Sequence, residues 1–172
     1  MKKTVAIILI LAAAFAAFAC VPNGADPASP SSKPESEALS FTGEDVNGNE
    51  VSMASFAGSK VIMLNLWETW CGPCMGELGD INRLYAAYRD RGLAVIGAYS
   101  SSGTNDVKAA IESLGLTYTI MPAVKEFMPY ATRYVPTTVF FDGEGNLLSK
   151  EPYVGARSYE EWESVILSYL GA

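Results

Sequence analysis

The sequence predicts an α/β protein in which helices flank a mixed central β-sheet. Two almost unbroken apolar runs, residues 61–67 and 93–99, have the composition of strands that are buried on both faces. Between these runs, apolar side chains recur at helical spacing over residues 75–91, and Gly92 ends the pattern. Strands that alternate with helices pair in parallel, so the first half of the sheet is expected to be parallel.

Turn and capping signals define the remaining elements. The Asn47-Gly48 pair is a strong hairpin-turn signal, so residues 41–52 are expected to form an N-terminal β-hairpin. Ser158 and Glu161 form a capping box that starts a final helix, which ends near Leu170. The other predicted elements are a short turn at residues 55–58, a helix at 104–114, a short strand at 118–121, a short helix at 124–134, a strand at 137–141 and its antiparallel hairpin partner at 147–150.

The first 20 residues have the pattern of a secretory signal peptide. Two lysines precede an apolar run at residues 5–18, and Ala17 and Ala19 are the small residues of a cleavage site. The run has 14 residues, whereas a membrane-spanning helix needs about 20, so a retained membrane anchor is the alternative. Cys20 resembles the lipid-acceptor cysteine of bacterial lipoproteins, although Ala17 stands where that motif usually has Leu. Cleavage that leaves Cys20 as a free thiol is the other interpretation.

Residues 21–38 are rich in Pro, Ser, Ala and acidic residues and contain hardly any large apolar side chain. Such a stretch cannot bury enough surface to offset its chain entropy, so a flexible linker is expected. The folded domain is then predicted over residues 39–172. Because no long apolar stripe is left unassigned, a monomer is expected.

Composition excludes several classes of function. The chain carries 12 basic and 19 acidic residues, a net charge of −7, which becomes −9 when the two lysines of the signal peptide are removed. This acidic balance keeps a protein soluble and offers nothing basic to hold nucleic acid. The sequence contains no histidine, which excludes His-based triads and most zinc sites, so no metal and no cofactor are expected.

The chemistry is concentrated in one motif, Cys71-Gly72-Pro73-Cys74, at the predicted junction of a buried strand and a helix. A C-x-x-C pair can be a redox couple, half of a metal site or a structural disulfide. The metal alternative needs further Cys or His ligands, which the predicted domain lacks. A structural disulfide that closes so short a loop restricts the unfolded chain little. Redox chemistry is therefore the favoured interpretation.

The predicted helix N-terminus supports redox chemistry. Its unpaired N–H groups and the positive end of its dipole stabilise a thiolate at Cys71, which is the attacking species in disulfide exchange. Pro73 suits the first turn, because it lacks the N–H that would go unpaired there. Cys74, about one turn into the helix, is close enough to form an intramolecular disulfide and release a mixed-disulfide partner.

Residues 67–74, Trp-Glu-Thr-Trp-Cys-Gly-Pro-Cys, resemble the active-site motif of the thioredoxin superfamily. The longer run from residue 61 to Glu77 is similar to its membrane-tethered branch, the TlpA/ResA-like thiol–disulfide oxidoreductases. This resemblance covers roughly residues 39–170, and it implies a thioredoxin-like fold with an N-terminal hairpin and a central insertion. The other matching parts are the N-terminal hairpin, the segment at residues 104–121, the loop around Pro136 and the Asp142-Gly143-Glu144-Gly145 turn.

The resemblance also implies roles for individual residues. Cys71 is the expected nucleophile and Cys74 the expected resolving thiol. Pro136 is the expected cis-proline beside the disulfide. Trp67 is assigned to core packing rather than to substrate contact. The surface that docks the substrate is expected to comprise Trp70, Gly72, Pro73 and Val135.

Two further residues are expected to tune the thiols. Asn65 stands six positions before Cys71, where this branch commonly has Asn and cytoplasmic thioredoxins have a buried Asp. Glu77, three positions after Cys74, resembles the acidic residue that the branch places near its cysteines. In a chain without histidine, a carboxylate is the natural proton-transfer partner of a leaving thiol. An ordinary solvated helix residue is the alternative for Glu77.

Two glycines and a glutamate also lie close to the motif. Gly79 stands where the family often has Pro, and Gly76 adds a second weak helix former, each costing roughly 1 kcal/mol relative to Ala. Either the site is more mobile than in the family, or Gly79 permits a bend by another route. Glu68 is expected to be a surface residue that modulates the choice of partner.

The dipeptide between the cysteines favours a reductase. Gly-Pro is the thioredoxin-like dipeptide, and thioredoxin, at about −270 mV, is far more reducing than the oxidant DsbA, at about −120 mV. We therefore expect an enzyme outside the cytoplasm, at the bacterial cell envelope, that reduces oxidised exported proteins with electrons from a membrane thiol donor. The alternatives are a disulfide-forming oxidase, a non-enzymatic binding module and a peroxidase of the peroxiredoxin kind. The peroxidase would need a Pro and Thr or Ser pattern before its cysteine, which Cys71 lacks.

Overall fold

The computed structural model describes residues 38–171. The predicted signal peptide, Cys20 and the linker up to residue 37 lie outside this range. Within it, no helix combines the length and the apolar character that crossing a membrane requires. The described elements are β1 (Thr42–Glu44), β2 (Glu50–Ser52), β3 (Val61–Leu66), α1 (Gly72–Tyr88), β4 (Leu93–Tyr99), α2 (Thr104–Leu114), β5 (Thr119–Pro122), β6 (Thr137–Phe141), β7 (Tyr153–Val154) and α3 (Tyr159–Leu170), with 3₁₀ helices at Met53–Phe56, Arg89–Arg91 and Lys125–Tyr130.

The central sheet is mixed, as predicted. Its strand order is β5-β4-β3-β6-β7, while β1 and β2 form a separate antiparallel hairpin. β3 pairs in parallel with β4, and β4 pairs in parallel with β5. β6 pairs antiparallel with both β3 and β7. The parallel strands are joined through α1 and α2, as alternating strands and helices require.

Both faces of β3 are buried, which accounts for its continuous apolar run. Val61 and Met63 face one apolar layer, and Ile62 and Leu64 face the other. The α-helices share the first layer, whereas the second is closed by the N-terminal hairpin and two of the 3₁₀ helices. Burying one such side chain fully stabilises the fold by about 1.5–3 kcal/mol. The first layer includes Leu78, Val107 and Trp162, and the second includes Phe41, Phe56 and Phe127.

Several predicted element boundaries differ from the structure, and three of the differences change the type or extent of an element. The helix predicted at residues 124–134 is a 3₁₀ helix at Lys125–Tyr130, because in an α-helix the ring of Pro129 would clash with the carbonyl of Lys125. The strand predicted at 147–150 is reduced to a single bridge between Phe141 and Leu147, and β7 pairs with the start of β6 instead. The helix predicted from residue 75 already begins at Gly72.

The connections at one end of the sheet create the site. β3 ends at Leu66 and α1 begins at Gly72, so residues 67–71 lie at the carboxyl end of a buried strand. Thr137, the first residue of β6, pairs with Leu66. The loop before β6, which contains Pro136, therefore reaches the same end of the sheet.

Candidate active site

Cys71 and Cys74 form a disulfide at the start of α1. Cys71 is the N-cap residue, and its Sγ accepts a hydrogen bond of 3.2 Å from the backbone N–H of Cys74. Its backbone carbonyl accepts the N–H of Met75 at 3.0 Å, which closes the first helical turn. An N-cap side chain normally satisfies one of the free N–H groups of the helix through an oxygen. Here the sulfur takes that position, so the protein already places a donor on the atom that becomes a thiolate.

The two sulfurs differ in access. Cys71 retains 6% of its surface, whereas Cys74 retains none. Gly72 and Pro73, which separate them, are exposed. An external disulfide can therefore approach Cys71 across the start of the helix, while Cys74 is reached only from within the protein.

The loop before β6 lies against Cys71. The Val135–Pro136 peptide bond is cis, which is the geometry implied for Pro136. The Sγ of Cys71 lies 3.5 Å from the carbonyl oxygen of Val135, and Pro136 itself is buried. The preceding Tyr134 is 68% exposed, and its carbonyl accepts a hydrogen bond of 2.6 Å from Thr137 Oγ1. This loop is thus fixed in place next to the sulfur that a substrate would reach.

Glu77 is a buried carboxylate, not a solvated helix residue. It lies on α1 and is 2% exposed. Its Oε1 accepts a hydrogen bond of 3.0 Å from Asn65 Nδ2 on β3. Its Oε2 accepts bonds from the backbone N–H of Arg157 at 3.1 Å and from Trp162 Nε1 at 2.9 Å. The carboxylate therefore ties the central strand, the first helix and the last helix together beneath the disulfide-bearing turn.

Burial dominates the acid–base behaviour of Glu77. Removing the carboxyl from water raises its pKa, and the hydrogen bonds from Trp162, Arg157 and Asn65 only partly oppose that rise, as does the positive charge of Arg157. The net pKa of Glu77 is raised above the ordinary value of a glutamate. A raised pKa lies closer to neutral pH. Proton transfer is most efficient when the pKa of the group is near the pH at which the enzyme works. The predicted role of Glu77 in proton transfer to the cysteines stays a prediction.

Comparison with known proteins agrees with this geometry. The model of the AhpC/TSA family matches residues 34–149, which is more than half of the chain. The chain belongs to the AhpC/TSA family. A protein of Bacillus thuringiensis named thiol-disulfide oxidoreductase ResA is 27% identical over 132 residues, which cover 76% of this chain and 75% of that protein. The protein of the same name from Geobacillus kaustophilus is 29% identical over 130 residues, covering 74% of this chain and 73% of its own.

Solved structures give the same result for the fold. The crystal structure of a thiol:disulfide interchange protein of the thioredoxin family from Chlorobium tepidum superposes with a TM-score of 0.70 at 27% identity. The match covers 78% of this chain and 95% of that one. The resemblance to the ResA-like branch is confirmed, and so is the thioredoxin-like fold. With its Cys71–Cys74 disulfide, the chain is a thiol–disulfide oxidoreductase.

The remaining predicted residues occupy distinct environments. Trp70 is 68% exposed beside Cys71, while Trp67 is fully buried in the core, as expected. Asn65 is also fully buried and donates a second hydrogen bond, of 2.9 Å, to Thr138 Oγ1. α1 continues without interruption through Gly79, so the substitution of the family's usual Pro leaves an unbroken helix at this position.

The prediction for Glu68 is wrong. Its side chain is 3% exposed and accepts hydrogen bonds from both the backbone and the side chain of Ser100 and Ser102, and from the backbone N–H of Ser101. The reason is that the loop after β4 turns its donors towards the turn after β3. Burial alone would raise the pKa of Glu68, but the bonds from Ser102 and Ser100 outweigh it and lower the pKa to about 2.

Several residues of the site were absent from the sequence prediction. Thr138, Arg157 and Trp162 support Asn65 and Glu77, and they come from elements more than 60 positions further along the chain. Nothing local marks them as partners of a carboxylate. The triple serine at residues 100–102 is a signal that could have been used, since three consecutive hydroxyl residues after a buried strand offer a dense set of donors.

Proposed function

We propose that this oxidoreductase reduces disulfide bonds of exported proteins outside the cytoplasm. The observation that carries the proposal is the placement of the Cys71 sulfur at the N-cap of α1, where the N–H of Cys74 donates to it. Such a donor stabilises the thiolate, and the thiolate of the more exposed cysteine is the form that attacks an external disulfide. The Gly72-Pro73 dipeptide supports the reducing direction, because it is the one found in thioredoxin.

The reaction begins with Cys71 in the reduced protein. Its thiolate attacks one sulfur of the substrate disulfide, a bond forms between Cys71 and that sulfur, and the substrate disulfide breaks. The other substrate sulfur leaves as a thiolate and takes up a proton. The extended substrate segment lies along the loop of Val135 and Pro136, on the open side of Cys71. Trp70 supplies the exposed apolar surface beside it.

The second step releases the substrate. Cys74 loses its proton and attacks Cys71, which forms the intramolecular disulfide and breaks the bond to the substrate. The second substrate sulfur leaves as a thiolate and is protonated, so two electrons and two protons have passed to the substrate. Cys74 is fully buried, so its proton must go to a group inside the protein. Glu77, whose pKa burial raises, is the proposed partner for that proton.

Continuous reduction requires a source of electrons. The Cys71–Cys74 disulfide is restored to the dithiol by exchange with a membrane thiol donor, which becomes oxidised in turn. We propose that Cys20 carries a lipid that keeps the protein at the cell envelope, and that residues 21–38 tether the domain. The acidic, histidine-free composition is consistent with a protein that acts without nucleic acid or a bound metal.

The decisive experiment is the reduction potential of the Cys71/Cys74 couple. We would equilibrate the full chain in detergent with dithiothreitol or glutathione buffers and follow the thiols by alkylation. A value near that of thioredoxin, about −270 mV, supports the reductase. A value near −120 mV contradicts it and makes the protein a disulfide-forming oxidase. Rapid consumption of hydrogen peroxide by the reduced protein would instead indicate a peroxidase.

A trapping experiment identifies the attacking cysteine. Cys74→Ser removes the resolving thiol, so the mixed disulfide between Cys71 and a substrate should accumulate in extracts of the cell envelope. Cys71→Ser should trap nothing at the active site, because Cys74, the remaining thiol of the motif, is buried. Equal trapping by the two variants would contradict the assignment of Cys71 as nucleophile.

A further inference from the structure

Glu68 connects the turn after β3 to the loop after β4, at the carboxyl ends of these two strands. Its Oε1 accepts the backbone N–H groups of Ser100 and Ser101, each at 2.9 Å, and the hydroxyl of Ser100 at 2.7 Å. Its Oε2 accepts the N–H of Ser102 at 2.8 Å and the hydroxyl of Ser102 at 2.5 Å. The backbone carbonyl of Glu68 also accepts the N–H of Cys71 at 3.1 Å. One residue therefore fixes both the loop after β4 and the turn that carries the nucleophile.

Ser101 and Ser102 in turn bind Trp70 and the residue before it. The indole Nε1 of Trp70 donates to Ser101 Oγ at 3.1 Å. The backbone N–H of Thr69, the residue before it, donates to Ser102 Oγ at 2.8 Å. Trp70 is nevertheless 68% exposed, so little apolar packing holds its ring. Its orientation beside Cys71 depends on two serines that Glu68 holds.

We propose that Glu68 is a positioning residue for substrate docking, which acts through Ser101 and Ser102 to hold the Trp70 ring in its substrate-binding orientation beside Cys71. This inference rests on the proposed function, in which a protein substrate docks on that ring. Because the Trp70 ring is held in place before the substrate binds, the free energy of binding does not include the entropic cost of ordering that ring. Ordering one large side chain at an interface costs enough to change affinity by roughly 2- to 10-fold.

The hydrogen-bond pattern requires a carboxylate at this position. All five groups that face the two oxygens donate, and a carboxylate is purely an acceptor. The low pKa of Glu68 keeps it ionised over the whole working range of pH. In Glu68→Gln, the amide nitrogen must face at least one backbone N–H of residues 100–102. That contact is repulsive, so the loop moves and takes the partner of Trp70 with it.

The test compares a protein substrate with a small one. The full chain would reduce insulin, which must dock on the surface around Cys71, and oxidised glutathione, which mainly has to reach the sulfur. We expect Glu68→Gln to raise KM for insulin by roughly 2- to 10-fold and to leave kcat for insulin and the rate with glutathione close to wild type.

A second variant separates positioning from stability. Ser101→Ala removes the hydroxyl that Trp70 contacts, while Glu68 binds only the backbone N–H of Ser101. It should raise KM for insulin as Glu68→Gln does, with little loss of thermal stability, and Ser101→Thr should restore KM. Ser113→Ala, on the exposed side of α2, is the matched control and should leave KM unchanged. Acrylamide quenching reports on Trp70, because Trp67 and Trp162 are fully buried.

Two outcomes would overturn the inference. One is a Ser101→Ala variant with the KM of the wild type, because the hydroxyl of Ser101 would then have no part in docking. The other is a Glu68→Gln variant that loses activity equally with insulin and with glutathione, which is the result of general damage to the site. Loss of the redox couple itself in the wild type would contradict the proposed function instead, so the two failures are distinguishable.

Discussion

The side-chain amide of Asn65 connects the central strand to Glu77 and presents its nitrogen to the carboxylate at 3.0 Å. The same nitrogen donates to Thr138 Oγ1, while the Oδ1 of Asn65 has no partner within residues 38–171. Rotating the amide by 180° would turn Oδ1 towards both neighbours. It could then accept from a protonated Glu77 and from the hydroxyl of Thr138. The pair can therefore keep its hydrogen bonds in either protonation state of Glu77.

Glu77→Gln is expected to fold and to remove the pH-dependent loss of stability that the buried carboxylate causes. The folded pKa of Glu77 is raised, so the folded state binds its proton more tightly than the unfolded chain. The stability linked to this proton is complete below the unfolded pKa of 4.5 and is lost as pH rises through the folded pKa. We expect the variant to gain stability relative to wild type as pH rises above 4.5, as measured by urea unfolding. A difference that is constant with pH would contradict the raised pKa.

Glu68 should have the opposite pH dependence. Its folded pKa of about 2 lies below the unfolded value of 4.5, so its stabilising effect is present above pH 4.5 and is lost as pH falls towards 2. At pH 7, Glu68→Gln should lower the free energy of unfolding by about 1–3 kcal/mol, because a buried donor loses its acceptor. The gap between wild type and variant should shrink between pH 4.5 and pH 2.5 in urea unfolding. A gap that widens in acid would contradict the assignment.

Gly76 and Gly79, which lie inside α1, offer a route to a more stable domain. A Cβ added at Gly76 or Gly79 would meet no atom within 4 Å. Each change to Ala should therefore raise the free energy of unfolding by about 0.5–1 kcal/mol through helix propensity alone. Gly97→Ala is the control, since its Cβ would lie 3.0 Å from Trp67 Nε1 and 3.0 Å from Tyr118 Cε2 in the core. It should be destabilising, and urea midpoints of the variants measure all these effects.

Gly145 and Gly155 separate backbone strain from steric conflict. Both have a φ of +88°, which disfavours a residue with a Cβ. Gly155→Ala meets nothing within 4 Å, so it should cost only about 1–2 kcal/mol for the left-handed conformation. Gly145→Ala would place its Cβ in steric overlap with the backbone oxygen of Leu39, so its cost should be clearly larger. Equal losses in thermal unfolding would contradict the close contact between the two segments.

The sheet was predictable because its strands are buried on both faces. The runs around β3 and β4 are apolar at almost every position, and in a globular chain short runs of this kind are typical of central strands. β7 was missed because only two residues pair, and an edge of that length leaves no periodic pattern. The 3₁₀ helix at Lys125–Tyr130 has the local composition of a helix, and the ring of Pro129 disfavours the α-helical form.

The site was predictable to the extent that its chemistry is local. The C-x-x-C motif lies within four residues, and the cis-proline loop and Glu77 followed from resemblance to a known family. The burial of Glu68 was not visible in its own neighbourhood of the sequence, because the serines that bind it lie more than 30 positions away. A glutamate between Trp67 and Thr69 looks exposed until the donors that compensate its charge are known.

The contact of Leu39 with the turn after β6 shows where the chain enters the domain. The N–H of Leu39 bonds to the carbonyl of Gly145 at 2.8 Å, just beyond the end of β6. That end of β6 pairs with the start of β3, whereas Cys71 follows the end of β3. The chain thus enters the domain at the pole of the sheet opposite the disulfide. The proposed lipid anchor and its flexible linker would therefore join the domain at the pole opposite the sulfurs.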